Sequence, residues 1–183
     1  MSPGETSARA RVLWVLAVGA VVVFFLFNLG IYFDFTSDDP GISFRYGANL
    51  FDGRGLAYNP GERVEGYSNF GYVLLSGAIY KLLSVMCDAR WYLLFAMKLV
   101  NLTAGIATGV LCYRFCTRIL DRGRVFALLT VVLLAANGAY VINVSSPMET
   151  ATYTLLITAM LYGLTRHLEG PSVRGLGLSL IHI

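Results

Sequence analysis

Residues Val12 to Phe33 read VLWVLAVGAVVVFFLFNLGIYF and carry no charge. About 20 apolar residues in a helix span a bilayer core of about 30 Å. Arg9 and Arg11 stand just before the run, and basic residues flank spans on the cytoplasmic side, so the N-terminus is expected inside. A cleaved signal peptide is the competing reading. Its apolar region would be only about 7–15 residues and would end in small residues. This run is longer and ends in bulky Ile31, Tyr32 and Phe33.

The rest of the composition agrees with a membrane protein. Hydrophobic residues make up 56% and charged residues 14%, against about 45–50% and about 25% in soluble domains. The mean hydropathy is +0.64. These values exclude a disordered chain, a collagen, a coiled coil and a disulfide-stapled domain. The net charge of +3 is scattered, so a nucleic-acid partner has no electrostatic footprint. Three cysteines form no CxxC pair. Cys112 and Cys116 lie one helical turn apart in an apolar run and read as reduced packing residues.

Beyond Phe33 the character changes. Residues 34–66 hold Asp34, Asp38, Asp39, Asp52, Glu62 and Glu65, six of the eleven acids. With the N-terminus inside, this loop faces outward. Four more apolar stretches follow, at about 67–86, 91–113, 125–144 and 148–165. The expectation is an all-α, polytopic transmembrane protein with about five hydrophobic helices and an amphipathic juxtamembrane helix in the outer loop. Gly77, Gly105, Gly109 and Gly163 suit close helix–helix approach. One conflict stands. Arg114, Arg118, Arg122 and Arg124 should be cytoplasmic, yet five crossings from an inside N-terminus put them outside. Either 67–86 or 91–113 does not cross fully, or the charge rule fails once.

The tail Leu178–Ile183 is what a common transposon-derived sequencing adapter encodes in one reading frame. It is therefore expected to be an adapter artefact ending an N-terminal fragment, with a genuine apolar C-terminus as the alternative.

Candidate chemistry concentrates in the outer loop. The adjacent acids Asp38 and Asp39 sit just outside a span, where ionisable groups are functional candidates, and mutual repulsion raises one pKa. Asp39 before Pro40 also reads as a helix cap with proline at the first helical position. Ile42, Tyr46 and Leu50 then recur at helical spacing, as in a helix lying on the membrane surface. Glu65, Tyr67 and Asn69 stand at the mouth of the next apolar stretch and suit sugar hydroxyls or a cation. Equally, Ser68 or Asn69 reads as a helix cap and Tyr67 as an interfacial belt residue. Glu149 is the only acid between Asp121 and Glu169, and it also fits the first turn of a helix after Pro147.

The stretch from Asp38 to Phe70 resembles the first outer loop of bacterial GT-C-type glycosyltransferases, in particular the terminal arabinofuranosyltransferase-like family. The matching residues are Asp38-Asp39, Ile42 to Tyr46, Asn49-Leu50, Gly53, Gly55-Leu56, Asn59 to Tyr67 and Asn69-Phe70. Pro147 to Thr150 resembles a later element of the family, while Pro40-Gly41 departs from its pattern. The resemblance implies a multi-helix module of the bacterial cytoplasmic membrane. There it would transfer a sugar from a polyprenyl-phosphate donor to a glycan or lipid acceptor on the outer face. It implies Asp38 as the catalytic base, with Asp39 as the alternate. Arg45 and Arg63 become phosphate-binding or loop-fixing residues, and Glu65 and Glu149 close the site or bind a divalent cation. The rival reading is a non-catalytic transporter subunit or scaffold. Inverted repeats and broken helices would favour transport, and neither is visible in the sequence.

Overall fold

A computed structural model describes residues 3–36, 39–59, 61–62 and 64–168, with side chains from residue 8 onward. Every regular element among them is helical: α1 (Pro3–Tyr32), α2 (Asp39–Phe51), α3 (Phe70–Ser84), α4 (Ala89–Arg118), α5 (Arg124–Ala136), α6 (Gly138–Ser145) and α7 (Thr150–Leu168). The tail 178–183 lies outside the described residues. The helices divide into two compact units. One comprises residues 3–34, 106–142 and 156–168, and the other Phe35–Gly105 with Asn143–Leu155.

The first unit is built from long apolar helices. Within α1, Ala8–Tyr32 contains an 18-residue window of mean hydropathy 2.6, of which only 6% is buried. Its single inner amide, Asn28, donates back to the Phe24 carbonyl at 2.9 Å, which satisfies it within the helix. The buried positions here are mostly small, including Ala127, Ala135 and Cys116, while Val22, Phe27, Leu129 and Leu133 point outward. That is the arrangement of helices meeting through small residues in lipid. α1 packs along α5. A Cβ added to Gly138 would lie 3.5 Å from the Tyr32 hydroxyl. The last residue of α1 therefore meets the far end of α5, and the two helices run in the same direction. The C-terminal half of α4 returns alongside α5, with Cys116 Sγ 3.5 Å from Thr130 Oγ1. A tight turn through Asp121, at φ 47°, joins α4 to α5.

Membrane-length helices number fewer than the sequence suggests. Two helices, α1 and α4, are long and apolar enough to cross a membrane, or three if α5 and α6 count as one span. The stretch 67–86 yields only the 15-residue α3, about 22 Å at 1.5 Å per residue, because the chain is tied into loop contacts up to Asn69. The stretch 125–144 breaks at Asn137 with a bend of 69°. There the Asn137 side-chain oxygen accepts the Tyr140 N–H at 2.9 Å and starts a new helix. A broken helix is thus present where the sequence showed none.

The second unit is built differently. Tyr72, Tyr80, Leu93 and Met97 form its apolar core. Around them Ser43, Asn49, Asn69, Ser76, Lys98, Asn101, Ser145 and Ser146 are also buried. α2 forms in the outer loop, as expected, but buries a different face. Ser43, Tyr46, Gly47 and Asn49 turn inward while Ile42 stays exposed. The reason is a glycine crossing with α3. A Cβ on Gly47 would sit 2.7 Å from the Val73 carbonyl oxygen, and one on Gly77 would sit 2.7 Å from the Gly47 carbonyl oxygen. Only glycine at both positions lets the backbones come this close.

Candidate functional site

The loop after α2 is shaped by side chains reaching back from that helix. Buried Asn49 donates to the carbonyls of Ala57 at 2.7 Å and Tyr58 at 3.0 Å. The Tyr46 hydroxyl donates to the Val64 carbonyl at 2.6 Å and accepts the Gly66 N–H at 3.0 Å. Arg45 donates to the Tyr58 carbonyl and to Asn59 Oδ1, with its guanidinium 4.3 Å from the centre of the Tyr58 ring. Arg45 is thus engaged in loop contacts. Gly53, Gly55 and Gly61 take φ values of 77°, 86° and 92°, the left-handed backbone glycine accepts at least cost.

The loop so held opens a cleft of about 540 Å³ lined by Arg54, Glu62, Glu65 and Tyr67 among others. Tyr67 packs edge-on against Tyr46, their ring centroids 4.9 Å apart. Partial burial first, then the Glu65 carboxylate, pushes the Tyr67 phenol pKa above its ordinary value. Asn69 occupies the cap position of α3 without a side-chain cap bond. Its Oδ1 instead accepts the Ser43 hydroxyl at 3.0 Å, tying the start of α3 to α2.

A second cluster gathers around the turn before α7. The Tyr72 hydroxyl donates to the Pro147 carbonyl at 2.7 Å. Fully buried Asn101 donates to the carbonyls of Ser146 and Met148, and its Oδ1 accepts the Thr152 hydroxyl at 2.8 Å. The turn they grip carries Glu149, whose carboxylate is within electrostatic reach of Tyr72 and Tyr153. One turn before Asn101, Lys98 is 5% exposed and donates to the Phe35 carbonyl at 3.4 Å, three residues before Asp38.

Asp39, Arg45, Glu65, Tyr67, Asn69 and Glu149 all belong to the second unit, and Glu149 has its electrostatic partners in Tyr72 and Tyr153. Asp39 lies in the first turn of α2. Asp38 and Arg63 lie outside the described residues. Lys98 and Asn101 belong to no motif in the sequence, yet they are the only charge and the only amide in the stretch 91–113. An ionisable residue in such a run is itself a signal. Among the described residues no three His, Cys, Asp or Glu side chains gather as a metal site. Comparison with protein-family models, curated proteins and solved structures gives no match.

Proposed function

We propose that the chain belongs to a membrane sugar transferase. Its donor is a polyprenyl-phosphate sugar and its acceptor a cell-envelope glycan or lipid at the outer face of the bacterial cytoplasmic membrane. One observation carries the reading. The two segments that resemble the glycosyltransferase family, Asp38 to Phe70 and Pro147 to Thr150, are far apart in sequence but fold into one unit. The Tyr72–Pro147 hydrogen bond ties α3, at the end of the first segment, to the second.

The chemistry follows from the donor. Its tail lies in the bilayer and its phosphate at the headgroups, so the site is built where a span meets the outer loop. The acceptor hydroxyl attacks the anomeric carbon, the carbon–oxygen bond to phosphate breaks, and polyprenyl phosphate leaves. The hydroxyl proton passes to a carboxylate, Asp38 in this reading with Asp39 as the alternate. A positioned base of this kind contributes about 10²–10⁴-fold.

The proposed orientation also resolves the charge conflict. α1 and α5 run in the same direction, so Arg9 and Arg11 share an end with Arg124. α4 closes on that end at Arg118 through the tight turn. If α1 leaves the cytoplasm, α4 returns to it and α3 does not cross, then Arg9, Arg11, Arg114, Arg118, Arg122 and Arg124 all stay inside. A cysteine at Gly41 should then react with an impermeant thiol reagent in intact cells, and one at Asp121 only after lysis, with native cysteines replaced.

The break at Asn137 favours a second reading, since discontinuous helices mark many transporter sites. Transfer from a radiolabelled polyprenyl-phosphate sugar in membranes separates the two. Asp38→Asn should nearly abolish transfer at normal expression, because asparagine still caps a helix but takes no proton. Asp39→Asn should reduce transfer only modestly. A large loss only at Asp39 would exchange the two roles. Near-wild-type transfer by both variants would exclude the pair as base, and solute flux in proteoliposomes with no sugar transfer would establish the transporter reading instead.

A further inference from the structure

Lys98 is the one charge buried among the described residues, at 5% exposure. It lies in α4, a helix long and apolar enough to cross a membrane. An ammonium taken out of water is costly unless hydrogen bonds and nearby charge compensate it, and an ionisable residue in such a run points to function by default. A methionine of similar length would fill the space without that cost, so packing alone does not account for the lysine.

What Lys98 holds is the chain entering α2. Its Nζ donates to the Phe35 carbonyl at 3.4 Å, and the acids at 38 and 39 follow within four residues. Three residues further along α4, on the same side of the helix, buried Asn101 donates to the carbonyls of Ser146 and Met148. Two side chains one turn apart on one helix therefore hold the entry to the first family-like segment and the backbone of the second. Both bonds go to main-chain oxygens, so they set where the backbone runs. With so little of it exposed, the lysine presents almost nothing to a ligand directly.

We infer that Lys98 is a positioning residue for the transfer reaction. It docks Phe35 on α4 and so fixes the start of α2, with Asp39 in its first turn, relative to the turn that carries Glu149. The inference rests on the sugar-transfer reading for the reaction served, while the docking contact stands apart from it. A displacement of about 1 Å in a reacting group can cost about 10²-fold in rate, so loss of the dock should fall on kcat.

The test compares Lys98→Met, Lys98→Arg and the native full chain. Replacing a buried charge by a hydrophobic residue of similar volume is often neutral or stabilising, so Lys98→Met should hold or raise the midpoint of thermal unfolding in detergent. In membranes supplied with a labelled polyprenyl-phosphate sugar, its kcat should fall about 10²-fold and its donor KM should stay unchanged. Lys98→Arg, which keeps a cationic donor, should recover most of the loss. Hydrogen–deuterium exchange gives a readout that needs no transfer. The peptide covering residues 34–43 should exchange faster in Lys98→Met while that covering 145–152 stays native, and Asn101→Leu should do the reverse. A lower unfolding midpoint with kcat falling only in step with the folded fraction would make Lys98 merely structural. A loss confined to donor KM would make it a phosphate-binding residue. Either result, unchanged exchange at 34–43, or no recovery in a stably folded Lys98→Arg would overturn the inference. Faster exchange at 34–43 in Lys98→Met, with no transfer by the native chain, would sink the transferase reading and uphold Lys98 as the dock of α2.

Discussion

The two units bury opposite things. In the unit built on α1 and α5 the buried positions are mostly small, such as Ala127 and Ala135, and large apolar side chains such as Phe27 and Leu133 face out. In the unit built on α2 and α3 the large side chains Tyr46, Tyr72 and Met97 are inside, with amides, hydroxyls and a lysine beside them. In lipid, apolar surface gains nothing by hiding, so helices meet through small residues. In water, large apolar groups are driven inward, and any polar group taken with them needs a hydrogen-bond partner. The contrast teaches that only part of this apolar sequence packs through small residues. The remainder packs around a core that mixes large side chains with polar groups.

The largest expected break in that contrast is Gly47→Leu. The new side chain would strike the Val73 carbonyl and the Gly77 nitrogen, and backbone cannot move aside as a side chain can. Overpacking typically costs about 1–3 kcal/mol, and this site should reach at least the upper end. The same change at Gly30 of α1, where a Cβ meets nothing within 4 Å, should be neutral or mildly stabilising. Thermal unfolding in detergent, with proteolysis of the loop after α2, measures both. Equal tolerance at the two glycines would erase the distinction between the units.

Asn101→Leu comes next. It strips the partner from the Ser146 and Met148 carbonyls and from the Thr152 hydroxyl. Leaving a buried polar group unsatisfied costs about 1–3 kcal/mol, so the unfolding midpoint should fall and the 145–150 turn become protease-sensitive. Asn28→Leu in α1 removes only a bond within its own helix and should change stability by no more than about 0.5 kcal/mol.

These residues also mark what the sequence made legible. The run Val12–Phe33 announces a span because nothing but composition is needed to read it. The outer loop and its helix were legible from Pro40 and the turn glycines. The inward face of α2 was not, since Ile42, Tyr46 and Leu50 fit helical spacing while Ser43 and Gly47 make the contact. Packing against another backbone, not hydropathy, selected that face. The short α3 read as a possible span because its residues are apolar, whereas its length is limited by the Asn69–Ser43 bond at its start. Tying the turn that carries Glu149 to α3 requires a contact far apart in sequence, Tyr72 with Pro147, which no periodicity encodes.

A smaller effect sharpens the description of the cleft. Partial burial and the Glu65 charge hold the Tyr67 phenol above its ordinary pKa. Glu65→Gln should lower it, as read by phenolate absorbance against a Tyr67→Phe reference. A tyrosine pKa raised by folding stabilises the fold below the ordinary tyrosine pKa, and that stability is lost as pH climbs through the folded value. The Gln variant should therefore lose less stability in alkali than the native chain. An unchanged Tyr67 titration would place the Glu65 charge too far away to act on it.

The central claim is that the outer loop and the distant turn carrying Glu149 form one sugar-transferring site. A double-mutant cycle on transfer tests it most directly, using Asp38→Asn, Glu149→Gln and the pair in membranes supplied with a labelled polyprenyl-phosphate sugar. Residues acting as a unit are strongly non-additive. Each single variant should lose at least about ten-fold, and the double should fall little below the worse single. Native rates in both singles, or losses that multiply independently in the double, would contradict a shared site.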